Sequence, residues 1–110
     1  MKLGDMSRED WSYERLCAEG WVYAGAFAGQ YRAAGFRLRS LSVAVYAPAW
    51  LGKLDLYRWG TYPAGHCDRL PALQRVAARV QEHGDEDLAA AFALGGGKAV
   101  NNLLKAEGIL

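Results

Sequence analysis

Bulky residues fall on one parity from Trp21 to Phe27, apolar ones alternate again from Leu41 to Val45, and from Leu70 onward they recur at every third or fourth position. Period two sends successive side chains to opposite faces of a strand, whereas a period near 3.6 gathers them on one stripe of a helix. The chain therefore divides into a β-rich first part and a helical second part. Trp21, Tyr23 and Phe27 share one parity, with Val22, Ala24, Ala26 and Ala28 on the other, which predicts a strand over 21–29 with one aromatic face. The Ala content of that segment also suits a helix. Leu41, Val43 and Val45 alternate inside a run that Pro48 stops, predicting a second strand over Leu38 to Ala47. Leu54 and Leu56 alternate with Asp55 and Tyr57, predicting a third strand over Lys53 to Trp59 that pairs with the second as an antiparallel hairpin.

Helix signals flank this region. Ser7, with Asp10 three residues on, is close to a capping box, and Gly20 stands where a helix needs a left-handed stop, so a helix is expected from Arg8 to Glu19. Tyr13, Leu16 and Cys17 are its expected inner positions, with Trp11 and Ala18 at the edge. Farther on, Asp68 is placed to cap a helix carrying Leu70, Leu73, Val76, Ala77 and Val80 on one stripe and ending near Gly84. Asp85 opens another with Leu88, Ala91 and Phe92, and Gly95-Gly96-Gly97 separates it from a last helix holding Val100, Leu103 and Leu104. The expected fold is α+β: a small single domain over 1–110, with an N-terminal helix (1–19), a three-stranded antiparallel sheet in an aromatic, basic part (20–62), and C-terminal helices (66–110). A chain of this length buries roughly two-thirds of the surface its unfolded form exposes and needs no metal or disulfide to fold.

Composition narrows the function classes. An apolar fraction of 52% and a charged fraction of 23% exclude a disordered chain. No run approaches the 18 or so apolar residues of a membrane span, and the first ten residues lack the apolar core of a secretory signal, so a cytoplasmic protein with no membrane contact is expected. Cys17 and Cys67 then read as free thiols, Cys17 within the core. The net charge of +1 conceals a pattern: three basic and five acidic groups in residues 1–19, eight and two in 20–80, two and five in 81–110. Such a basic middle steers an acidic face or a polyanion to one side of the molecule.

That middle also holds most of the aromatic residues. Twelve of thirteen lie between Trp11 and Tyr62, and the stretch from Gly20 to Leu54 has four basic residues and no acidic one. Trp21, Tyr23, Tyr31, Arg32, Arg37, Arg39, Trp50, Tyr57, Arg58 and Trp59 are of the types that dominate protein interface hot spots. The same mixture serves single-stranded nucleic acid through base stacking and phosphate contact. The alternative for each ring is a place in the core, with arginine stems covering its rim. The leading expectation is a non-enzymatic binder of a protein partner, of the adaptor or phage-type inhibitor (anti-CRISPR-like) class, with nucleic acid and a homodimer as the other expected partners.

Catalytic and metal patterns are incomplete. His66-Cys67-Asp68 ahead of a helix start would favour a thiolate, but the arginine of a cysteine phosphatase loop would fall at Leu73. A cysteine-dependent enzyme using Cys67 with His66 or His83 is thus the third reading. Cys17, Cys67, His66 and His83 lack paired ligand spacing, so no metal or cofactor is expected. Gly95-Gly96-Gly97-Lys98 resembles the end of a phosphate-binding loop, yet Phe92 occupies its first glycine position and Ala99 its hydroxyl.

Leu88 to Phe92 followed by Val100 to Lys105 resembles a helix-turn-helix, although three glycines stand where that family carries one and the second helix begins a residue late. The resemblance covers the last quarter of the chain and implies DNA recognition by Lys98, Asn101, Asn102 and Lys105. Glu82, Asp85, Glu86 and Asp87 lie beside it and would repel DNA.

Overall fold

The structure, a computed structural model, describes residues 12–42, 44–56 and 69–110. Helix α1 runs over Tyr13–Ala18 and opens at Ser12, whose hydroxyl accepts the Arg15 N–H at 3.3 Å. The expected cap at Ser7 lies outside the described residues. Gly20 closes the helix at φ 86°, as its position predicts. Only Leu16 of α1 is buried, against Trp21 and Tyr46. A six-residue helix presents little more than one inward position, so Tyr13 and Cys17, expected inside, are exposed.

Strand β1 occupies only Trp21–Tyr23; a 3₁₀ turn at Gly25–Phe27 then leads into helix α2, Ala28–Ala34. The alternation over 21–29 therefore marks a strand for three residues and a helix thereafter. Ala28, Tyr31 and Ala34 bury one stripe of α2. Gly35 at φ 102° ends the helix in a Schellman motif, with Phe36 N–H on Tyr31 C=O and Gly35 N–H on Arg32 C=O. The Tyr31 and Phe36 rings meet edge-on at 6.3 Å, the hydrophobic contact that accompanies this motif.

The expected second strand is itself a hairpin. Strands β2, Arg39–Leu41, and β3, Ala44–Pro48, pair Leu41 with Ala44, and Ser42, just after β2, takes φ 55°. The sheet order is β1-β3-β2, antiparallel throughout. Among the described residues the pairing expected with Lys53 to Trp59 is not made: Leu51–Lys53 is a 3₁₀ turn, and β3 pairs with β1 and β2. Leu54 and Leu56 instead turn back into the core, and Tyr57, Arg58 and Trp59 lie outside the described residues.

Helix α3, Leu70–His83, buries Leu73, Val76, Ala77 and Val80 as its pattern predicts, together with Ala72, while Leu70 at its first position is only partly buried against the core. Helix α4, Glu86–Ala106, is two helical limbs meeting at Gly96, whose φ of 69° and ψ of −161° break the helix. A Cβ on the next residue, Gly97, would stand 2.8 Å from Lys53 Cβ, so α4 approaches the 51–53 turn closely there. The glycine run is thus a kink and a contact point, not a separating loop. One face of the sheet, through Ala47, joins the main core with α2, α3 and α4, while Trp21 and Tyr46 form a smaller cluster with α1.

Charged groups lock the helical part. The Arg79 guanidinium on α3 donates to both carboxylate oxygens of Asp87 and of Glu107, binding the start and the end of α4 at once. Those hydrogen bonds hold the Asp87 carboxyl below its ordinary range. No helix among the described residues is long and apolar enough to cross a membrane.

Candidate functional site

Of the ten aromatic and arginine residues singled out by sequence, the seven that are described separate into distinct environments. Tyr31 and Trp50 are buried in the main core and Trp21 in the smaller cluster, so none of the three is a surface anchor. Burial follows from their positions: Tyr31 lies on the inward stripe of α2, and Trp50 follows β3 at the junction with the helices. Tyr23, Arg32 and Arg37 are exposed, and Arg39 is half-buried.

What the fold brings together is a row across the sheet. Tyr46 on the central strand is in register with Tyr23 on β1 and with Arg39 on β2. Directly opposed residues of antiparallel strands share a face, so the three side chains emerge on one side of the sheet. Tyr13 on α1 joins them: its ring lies 6.4 Å from that of Tyr46, and Tyr23 lies 6.3 Å from the same ring, both edge-on. Tyr46 is 7% exposed, while Tyr13 and Tyr23 are 60% and 68% exposed. Two outer tyrosines therefore brace a buried third and present their rings to solvent. Val22, on the other face of β1, is also exposed. Tyr13 was not among the residues chosen by sequence, since helical periodicity placed it inward; the shortness of α1 is what exposes it.

The C-terminal residues divide differently. Asn101 is buried and its amide is fully used: Nδ2 donates to Lys53 C=O at 2.9 Å and Gly97 C=O at 2.7 Å, and Oδ1 accepts the Asp55 N–H at 2.6 Å. Lys105 Nζ lies 3.2 Å from Asp55 Oδ2. Two of the four proposed base- or phosphate-contacting residues thus bind the protein's own 53–55 turn. Lys98 and Asn102 are exposed. With a single non-helical residue between the limbs of α4, the turn of a helix-turn-helix is not formed.

His66 and Cys67 lie outside the described residues, and His83 is exposed beside Glu82. Asp85 is the described group whose environment departs furthest from a surface carboxylate. It is 3% exposed, its Oδ2 accepts the Trp50 indole N–H at 3.1 Å, and burial raises its pKa against the opposing effect of that hydrogen bond. Sequence reading made Asp85 a helix opener; it does precede α4, but its side chain makes no capping bond and faces Trp50 instead.

No protein-family model, curated protein or solved structure matches this chain.

Proposed function

We propose that this is a non-enzymatic binding protein that engages a protein partner through the tyrosine and arginine face of its sheet. The observation that carries the reading is the exposure of Tyr13 and Tyr23 on either side of Tyr46. Tyrosine supplies a large amphipathic contact surface with few rotatable bonds, and rings already braced by a neighbour lose little freedom on binding. Arg39 extends the row, and the absence of acidic residues from Gly20 to Leu54 favours an acidic complementary surface. In this reading Tyr13, Tyr23 and Arg39 are the contact residues, with the exposed Arg32 and Arg37 supplying further positive charge, and the partner is one that an adaptor or a phage-type inhibitor would recognise.

Capture from a bacterial lysate with the tagged chain tests it, with and without nuclease and at low and moderate salt. A stoichiometric protein band that survives nuclease, and that disappears with Tyr13→Ala/Tyr23→Ala while the thermal midpoint is retained, is the expected result. An undiminished band with that double variant excludes the tyrosine face. Recovery of nucleic acid that salt releases would replace this reading with nucleic-acid binding, because phosphate contacts weaken steeply with salt.

A further inference from the structure

A pocket of about 290 Å³ opens where the end of α1, the end of β3 and the first turns of α4 meet. Trp21, Trp50 and Phe92 supply aromatic surface, Pro48, Ala89 and Ala93 among others supply aliphatic surface, and among the described residues the charged groups lining it are Glu19 and Asp85. The Asp85 carboxylate is oriented by the Trp50 indole through Oδ2, while Oδ1 is buried and, among the described residues, has no hydrogen-bond partner. Buried polar atoms in folded proteins are nearly always satisfied, so an unpaired oxygen on a residue that lines a cavity favours a donor there. Aromatic faces add attraction for a positive charge.

We propose that this pocket binds an organic ammonium group, with Asp85 as counter-ion, Glu19 at the rim, and Trp21, Trp50 and Phe92 as its aromatic wall. The volume sits at the lower end for ligand pockets, so the occupant is the size of one side chain or a small amine. A carboxylate that burial already disfavours as an anion gains most from a cation placed against it. The site stands at the Trp21–Pro48 end of the sheet and shares no residue with the Tyr13, Tyr23 and Arg39 face, so it is independent of the reading above.

The shared chemistry is an ammonium on an apolar stem, available from a free amine or from a lysine side chain of a partner. Calorimetric titration of the full chain with phenethylammonium, Nα-acetyl-lysine amide and the neutral 2-phenylethanol separates these. At least one ammonium probe is expected to bind with a Kd of about 1 mM or tighter. 2-Phenylethanol, and phenethylammonium with Asp85→Asn, are each expected to be at least about tenfold weaker. Tighter binding of phenethylammonium identifies a free amine as the source; tighter binding of the lysine derivative identifies a side chain. Should Asp85→Asn fail to fold, the charged and neutral probes on the wild type, together with the exposed Glu19→Gln, decide: Glu19→Gln is expected to weaken ammonium binding about twofold to fivefold. Absence of binding by both ammonium probes, or equal affinity for 2-phenylethanol, overturns the proposal.

Discussion

The indole N–H of Trp50 donates to Oδ2 of Asp85 at 3.1 Å, joining the end of the sheet to the start of the last helix across 35 positions of sequence. Both side chains are buried, so neither has water as a replacement partner. Asp85→Ala strands the indole N–H and is expected to cost about 1–3 kcal/mol, whereas Asp85→Asn keeps an acceptor and costs less. Trp50→Phe retains most of the ring but leaves the carboxylate without its donor. Urea unfolding of the two single variants and the double variant measures the coupling; strictly additive losses would show that the bond contributes nothing beyond packing.

The two neighbouring aspartates give stability opposite pH dependences. Burial raises the pKa of Asp85, so the folded state takes up a proton at higher pH than the unfolded chain does. Stability from this group therefore rises as pH falls from neutral through the folded value toward the ordinary value of 3.8. Arg79 lowers the pKa of Asp87, whose contribution is complete above 3.8 and is lost as pH falls below it. Relative to Asp85→Asn, the wild type should gain stability between neutral pH and pH about 4; relative to Asp87→Asn, it should lose its advantage below pH about 4. Denaturation midpoints at several pH values check both signs.

Arg79 binds two carboxylates that belong to opposite ends of α4. Its side chain is only 9% exposed, although its partners are partly solvated, so Arg79→Met is expected to lose about 1–3 kcal/mol. Arg79→Lys should recover only a fraction, because one ammonium does not supply the parallel N–H pairs that the guanidinium gives to each carboxylate. Thermal denaturation at low and high salt reads this, and a full rescue by lysine would reduce the clamp to simple charge pairing.

Much of the helical half was legible in the sequence. The stripe of Leu73, Val76, Ala77 and Val80 emerges as read, as do Leu88, Val100 and Leu104, because long amphipathic segments carry several repeats of their period. The β-rich half was less legible. Three-residue strands hold too few side chains to distinguish a strand from the α2 segment that follows, and the Ser42 turn lacks the Asn-Gly or Asp-Gly pair that marks a tight hairpin. The site divided along the same line. Composition singles out tyrosine and arginine as candidate contact residues but does not separate the buried Tyr31, on the inward stripe of α2, from the exposed Tyr23, beside the central strand. Asn101 illustrates the converse error: an exposed-looking amide on a C-terminal helix is committed to a turn 46 residues away.

The Gly95-Gly96-Gly97 run provides a sharp test, because alanine normally stabilises a helix by about 1 kcal/mol over glycine. At Gly97 a new Cβ would lie 2.8 Å from Lys53 Cβ and 3.1 Å from the Lys53 carbonyl oxygen, forcing α4 away from the 51–53 turn. The same displacement would strain Asn101, whose amide bonds Lys53 and Gly97 together. Gly96 has free space around it but a φ of 69°, which alanine adopts only with strain of about 1 kcal/mol or more. Both substitutions are therefore expected to destabilise, Gly97→Ala by about 1–3 kcal/mol and in a manner not additive with Asn101→Leu, since each disturbs the same turn. Gly96→Ala and Asn101→Leu should combine more nearly additively. Urea unfolding of the set decides it, and a stabilised Gly97→Ala would mean that α4 does not rest on Lys53.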